Sequence, residues 1–192
     1  MSAPISRFAV VELDDMEEDL RTRIGAIAER SGFVPNVFLG LAHRPAELRA
    51  FLDMHDALMD HGPGEDGTGL TKAERELVVV ATSGANHCTY CVVAHGAILR
   101  VRDKDPFADR VAINPWGAGL SERRRVIVDL ALALTREPER FTQSHVDTAR
   151  AGGLTEAEVW EVGAITAFFA MSNRLANLMA LVPNAEFVGM GR

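Results

Sequence analysis

Cys88 and Cys91 are the only cysteines in 192 residues, and they stand three apart in the stretch NHCTYCVVAHG (residues 86–96), with His95 four positions beyond the second. A chain that uses sulfur this sparingly, and then twice within one turn, is placing it for chemistry. If a helix begins at or just after Cys88, a rotation of ~100° per residue sets Cys91 ~60° and His95 ~20° from Cys88, so the three side chains share one face. Residues three apart on a helix lie ~5 Å apart at Cα, within the span of a disulfide. The free amides and dipole at that helix start favour a thiolate over a thiol. Glu76 precedes Cys88 by eleven intervening residues. In an unbroken helix it would sit ~120° round and ~18 Å away, out of reach of sulfur. A chain reversal at Asn86-His87 instead carries Glu76, on an antiparallel partner, to the depth of His95. There the carboxylate fixes the imidazole's tautomer and the imidazole moves protons to and from sulfur.

Two other uses of the same residues compete with redox chemistry. Two thiolates, an imidazole and a carboxylate can complete a tetrahedral zinc shell. Structural zinc usually draws a second ligand pair from another segment, and the sequence has no second CxxC and no HxxxH. Two buried cysteines can also pack as small hydrophobes, but that leaves the matched spacing of Glu76 and His95 without a reason. The redox reading is therefore preferred, with no cofactor. His43, His55, His61 and His145 have no partners at telling spacings and read as surface or satisfied core residues. Tyr90 reads as packing, His87 as facing water, Asn173, Arg174 and Asn177 as the polar side of the last helix, and Glu122 to Arg125 as a solvated first turn.

Composition bounds the partners. The formal charge of −7 repels nucleic-acid phosphates and anionic membranes alike. The first residues carry one arginine and then an acidic run, with no legible signal-peptide pattern. The longest apolar region, residues 162–171, is broken by Gly163 and Thr166 and falls short of the ~20 residues of a membrane span. The expectation is a soluble cytoplasmic protein, and in that reducing compartment a vicinal cysteine pair is a working pair rather than a staple.

Apolar residues recur at three and four almost throughout, which predicts an all-α fold. Residues 8–13 read as extended, with nothing to pair with. Helices are expected over residues 15–30, ending at Gly32; briefly after Pro35; over a third stretch with Leu48, Phe51, Leu52, His55, Leu58 and Met59 on one side; and then over 72–85, 89–101, 122–135, 144–151 and 156–181. Gly-Leu-Thr/Ser recurs at 69–71, 119–121 and 153–155, and two of these open complete capping boxes, Thr71 with Glu74 and Thr155 with Glu158. The Gly-rich acidic loop HGPGEDGTG (61–69) marks a boundary between an N-terminal helical layer (1–62) and a core (70–181) holding the cysteine hairpin. The last long helix is apolar on much of its circumference, so it is central or shared with another subunit.

The spacing of Glu76, Cys88, Cys91 and His95 resembles that of the alkylhydroperoxidase D-like (AhpD-like) proteins of the carboxymuconolactone decarboxylase superfamily. The blocks GFVPNVF (32–38), LTKAERELVVVATSGANHCTYCVVAHGA (70–97) and AITAFFAMSNRLANLMAL (164–181) resemble its peroxidase-related subgroup, and the likeness covers nearly the whole chain. It implies one AhpD-like domain over 1–192, an all-α bundle assembled as homotrimers or homohexamers. It also implies a thiol peroxidase or disulfide reductase cycle in which Cys91 attacks a hydroperoxide and becomes a sulfenic acid, and Cys88 closes the disulfide. Glu76 and His95 would relay protons, and a dihydrolipoyl group or thioredoxin-like protein would reset the pair. Dipole logic makes Cys88 the better thiolate; the resemblance assigns the attack to Cys91, which has His95 one turn away, and that assignment is adopted. Ala170 stands where the subgroup commonly has Asn. Decarboxylase relatives in the superfamily generally lack the cysteine pair, which weighs against that activity here.

Overall fold

The computed structural model describes residues 4–61, 69–103 and 107–192. They form ten α-helices, α1 (Glu18–Ser31), α2 (Asn36–Leu41), α3 (Pro45–Met59), α4 (Lys72–Ala85), α5 (Thr89–Asp103), α6 (Phe107–Val111), α7 (Glu122–Arg136), α8 (Gln143–Ala151), α9 (Glu156–Met179) and α10 (Glu186–Gly189), and among the described residues there is no strand. Most of the expected helices are present within a few residues of their expected ends. Thr71 and Thr155 cap α4 and α9 with reciprocal Glu74 and Glu158 bonds, and Gly32 closes α1 in the left-handed conformation at φ 84°.

Several local expectations need correction. The extended reading of residues 8–13 stops one residue short: Glu12 is extended at φ −68° and ψ 154°, the Val11 amide bonds the Leu39 carbonyl, and Leu13 opens a 3-10 turn over Leu13–Asp15. The last long helix stops at Met179 rather than 181. Ala180 takes the left-handed conformation at φ 47°, and the Ala180 and Leu181 amides turn back onto the carbonyls of Asn177 and Ala176, ahead of Pro183. The short α6 and α10 had no sequence signal, since four or five residues show no period. Of the boundary loop at 61–69, residues 62–68 lie outside the described residues.

The core is built around α4. Every residue from Glu74 to Ser83 is buried, so its whole circumference is covered, by α5, α7 and α9. Val78 and Val79 meet Ile127, Ile165 and Phe169 on one side, while Leu77 and Val80 meet Leu99, Phe107 and Leu132 on another. The start of α7 is not a solvated turn. Arg123 binds both capping-box carboxylates, Glu74 at 2.7 Å and Glu158 at 2.5 Å, and so ties three helix starts together. Arg124 pairs with Asp103 at 2.6 Å and lies over the Phe107 ring. The N-terminal helices close over a further apolar cluster of Leu20, Ile24, Leu39, Leu48 and Leu52, and α3 leans on α9. No helix among the described residues is long and apolar enough to cross a membrane.

Candidate active site

α4 and α5 form a tight hairpin whose turn is Asn86-His87-Cys88. The Asn86 amide bonds the Thr82 carbonyl, the His87 amide that of Gly84, and the Cys88 amide that of Ser83 at 2.9 Å. His87 is exposed and takes φ 53°, a left-handed position that a non-glycine residue occupies at some cost. Gly84 is required for a different reason: a Cβ there would lie 2.4 Å from the Ala112 carbonyl oxygen, so the segment after α6 presses on bare backbone.

The reversal leaves Cys88 in the N-cap position of α5. Its carbonyl accepts from Val92, and its sulfur accepts the Cys91 amide at 3.5 Å, as a capping oxygen would. Both thiols are free and buried. Their environments drive them apart. The Cys91 thiol donating to its sulfur, together with the Cys91 amide, Asn173 and the charge of His95, pulls Cys88 down to about 7 against the cost of burial. Cys91 is pushed well above the usual thiol range, first because it is the donor in that bond and then by its own burial. Of the two, Cys88 is thus the sulfur that gives up its proton more readily and Cys91 the one that keeps it.

Glu76 and His95 meet across the hairpin, with Nδ1 of His95 2.8 Å from Oε2 of Glu76. The carboxylate is 4 % exposed and has Nε of Arg102 3.7 Å from its other oxygen. It holds Nδ1 as the protonated nitrogen, so Nε2 is left for proton exchange. Phe169 packs against the imidazole edge to face, with centroids 4.8 Å apart. The structure thus gathers Cys88, Cys91 and His95 at the start of one helix and sets Glu76 behind the imidazole, bonded to His95. Among the described residues no group of three or more His, Cys, Asp or Glu side chains is arranged to hold a metal ion.

Other residues join the site without a sequence signal. Asn173, assigned to the polar side of α9, is wholly buried. Its amide accepts from Asn86 at 3.0 Å and donates to Ser83 at 2.9 Å, and it lowers the proton affinity of both cysteines. Asn177 Nδ2 reaches the Asn86 carbonyl, while Arg174 is exposed and bonds the carbonyl of Ala170. Tyr90 packs against Phe187, and its hydroxyl accepts the Val37 amide at 3.1 Å, fastening the GFVPNVF segment to the cysteine helix. His55 of α3 is half-buried against Phe168 and Phe169. Apart from the Arg174 bond within α9, each of these contacts spans tens of residues, so no local spacing announces it.

With this geometry in place, the chain can be set beside known proteins. The model of the carboxymuconolactone decarboxylase family matches residues 45–106, which contain Glu76, Cys88, Cys91 and His95. A peroxidase-related protein with an alkylhydroperoxidase AhpD core from Ralstonia eutropha JMP134 is 49 % identical, superposes with a TM-score of 0.94, and is aligned over 100 % of this chain and 98 % of its own. The chain belongs to the AhpD-like carboxymuconolactone decarboxylase family. A second relative, a peroxidase-related protein from Silicibacter sp. TM1040, is 31 % identical with a TM-score of 0.89 over 99 % of this chain and 97 % of its own. The debrominase Bmp8, 16 % identical over 97 % of this chain and 95 % of its own with a TM-score of 0.74, shares the fold. A comparison with curated proteins gives no match.

Proposed function

We propose that this AhpD-like protein is a thiol peroxidase or disulfide oxidoreductase working through Cys88 and Cys91. The observation that carries the reading is the 2.8 Å bond from His95 to the buried Glu76, which orients an imidazole beside two cysteines of opposed proton affinity. In the cycle, a cysteine thiolate attacks the distal oxygen of a hydroperoxide, the O–O bond breaks, and His95 protonates the departing alkoxide. The second cysteine then attacks the sulfenic sulfur, releasing water and closing the disulfide. An external dithiol, a dihydrolipoyl group or a thioredoxin-like protein, returns both thiols, in the reducing cytoplasm. For Cys91 to attack first, as the family resemblance implies, its proton must pass to Cys88 or to His95 as the peroxide arrives.

The assembly belongs to the same proposal. α3 and α9 leave an apolar groove lined by Met54, Leu58, Trp160, Phe168, Met171 and Leu178, with Trp160 77 % exposed. A second copy of the chain covers it, in a homotrimer or homohexamer.

The test is intact mass before and after one equivalent of hydroperoxide on reduced, metal-analysed protein. Loss of two hydrogens with no stoichiometric metal is expected, and Cys91→Ser and Cys88→Ser should each abolish disulfide closure. Full peroxide turnover in Cys91→Ser, or stoichiometric zinc, rejects the proposal. His95→Gln or Glu76→Gln should lower turnover by about 10²-fold, the usual weight of a positioned acid or base.

A further inference from the structure

The two oxygens of Glu76 have partners of different kinds. Oε2 meets Nδ1 of His95 at 2.8 Å, and Oε1 has Nε of Arg102 at 3.7 Å. Both partners come from α5. Arg102 follows His95 by seven residues, about two helical turns, and so returns to the side of α5 that meets Glu76. Arg100 turns the other way, to Asp109 and the carbonyls of Phe187 and Met190. The Glu76 side chain is 4 % exposed and that of Arg102 28 %, so the guanidinium reaches a buried carboxyl from the edge of the protein.

The partners differ in a way that matters to a proton relay. An imidazole gains and loses its charge near neutral pH, whereas a guanidinium stays charged throughout. A carboxylate out of water persists as an anion only beside a cation or several donors. The other charged groups around Glu76 are farther away or otherwise engaged. His55 of α3 lies within range of its charge without a bond to it. On α7, Arg123 is bound to Glu74 and Glu158, and Arg124 to Asp103. On α6, Asp109 is bound to Arg100 and Arg192, and Arg110 is exposed. From α9, Glu161 is bound to Arg75, and Phe169 supplies the ring packed on His95.

We propose that Arg102 is a positioning residue for the relay: its fixed charge, set against Oε1, balances the Glu76 carboxylate when His95 hands its proton to the departing alkoxide. Without that charge the Glu76–His95 pair would hold more tightly the proton it must donate. The sign is the same wherever in the pair the proton sits, because removing a positive charge strengthens proton binding at every group near it. The role in turnover rests on the thiol-redox function proposed above; the charge pairing does not.

The test is an NMR titration of reduced protein labelled in the glutamate carboxyl carbons and the histidine rings, which requires no substrate. Arg102→Gln keeps an N–H donor without the charge, and Arg102→Met keeps the stem without either. In both, the Glu76 midpoint should rise by about one pH unit and the His95 midpoint by less, and Arg102→Lys should bring both back toward wild type. A residue that only packed the hairpin would move neither, whatever its effect on the melting temperature. If acid unfolds the protein before Glu76 titrates, the His95 midpoint decides alone. The single-turnover rate of disulfide closure with hydroperoxide, taken below the wild-type His95 midpoint, should fall about threefold in Arg102→Gln, as expected of a weaker acid. Coincident midpoints in wild type, Arg102→Gln and Arg102→Met overturn the proposal even where closure slows, and raised midpoints with closure undiminished overturn the positioning role. Raised midpoints in a protein that fails to reduce peroxide at all support the charge pairing and reject only the functional reading.

Discussion

At the residue scale the site turns on which sulfur holds the charge. The hairpin places Cys88 where a helix N-cap oxygen normally sits, and the Cys91 amide and thiol both point at it. Alkylation of the reduced protein by iodoacetamide should therefore rise with pH through a midpoint of about 7, against the ordinary thiol value of 9.0. Because the largest cause is the Cys91 thiol, Cys91→Ala should move that midpoint upward, and Asn173→Ala should move it less in the same direction. Thiolate absorbance at ~240 nm, followed against pH, checks both. An unchanged midpoint in Cys91→Ala would mean that the helix start alone sets the Cys88 charge.

At the element scale, Arg123 joins the N-termini of α4, α7 and α9 by bonding two buried carboxylates. Burial pushes the Glu158 carboxyl up, but Arg123 with the amide and hydroxyl of Thr155 more than offsets this and holds it below the usual range. Arg123→Ala is expected to cost about 1–3 kcal/mol, the penalty of leaving buried charge without its donor. The sign with pH follows from the depressed carboxyl: its stabilisation is present above the unfolded carboxylate pKa and is lost as pH falls through the lower folded value. Thermal melts of wild type and Arg123→Ala should thus differ at pH 7 and converge in strong acid. Gly84→Ala tests the hairpin itself. With the Ala112 carbonyl 2.4 Å from the new methyl, α4 and the segment after α6 must separate, and the variant should melt lower even though alanine is the better helix former.

For the whole molecule, α9 is the element with two duties. Its inner side carries Ile165, Phe169 and Asn173 to the core and the thiols, while Trp160, Met171 and Leu178 lie open along the groove beside α3. An exposed apolar face of this kind is what the proposed assembly would cover. Trp160→Glu and Leu178→Glu are each expected to reduce the solution mass toward that of the 20.9 kDa chain in sedimentation, with the helical circular dichroism kept. The rings of Phe51, Phe168 and Phe169 run in contact from this groove to His95, so the same variants report whether assembly and the imidazole are linked.

What the sequence alone determined was local. The capping boxes at Thr71 and Thr155, the left-handed stop at Gly32, and the turn needed at Asn86-His87 are all written within a few residues. The meeting of Glu76 with His95 follows from two helices of known start joined by one short turn. Only the tertiary structure decided that Asn173 faces the sulfurs, that Arg123 is clamped between two acids, that Tyr90 holds Val37, and that His55 shares Phe169 with His95. Those contacts join residues 35 to 114 positions apart, and helical periodicity says which face of a helix is buried but not which neighbour buries it.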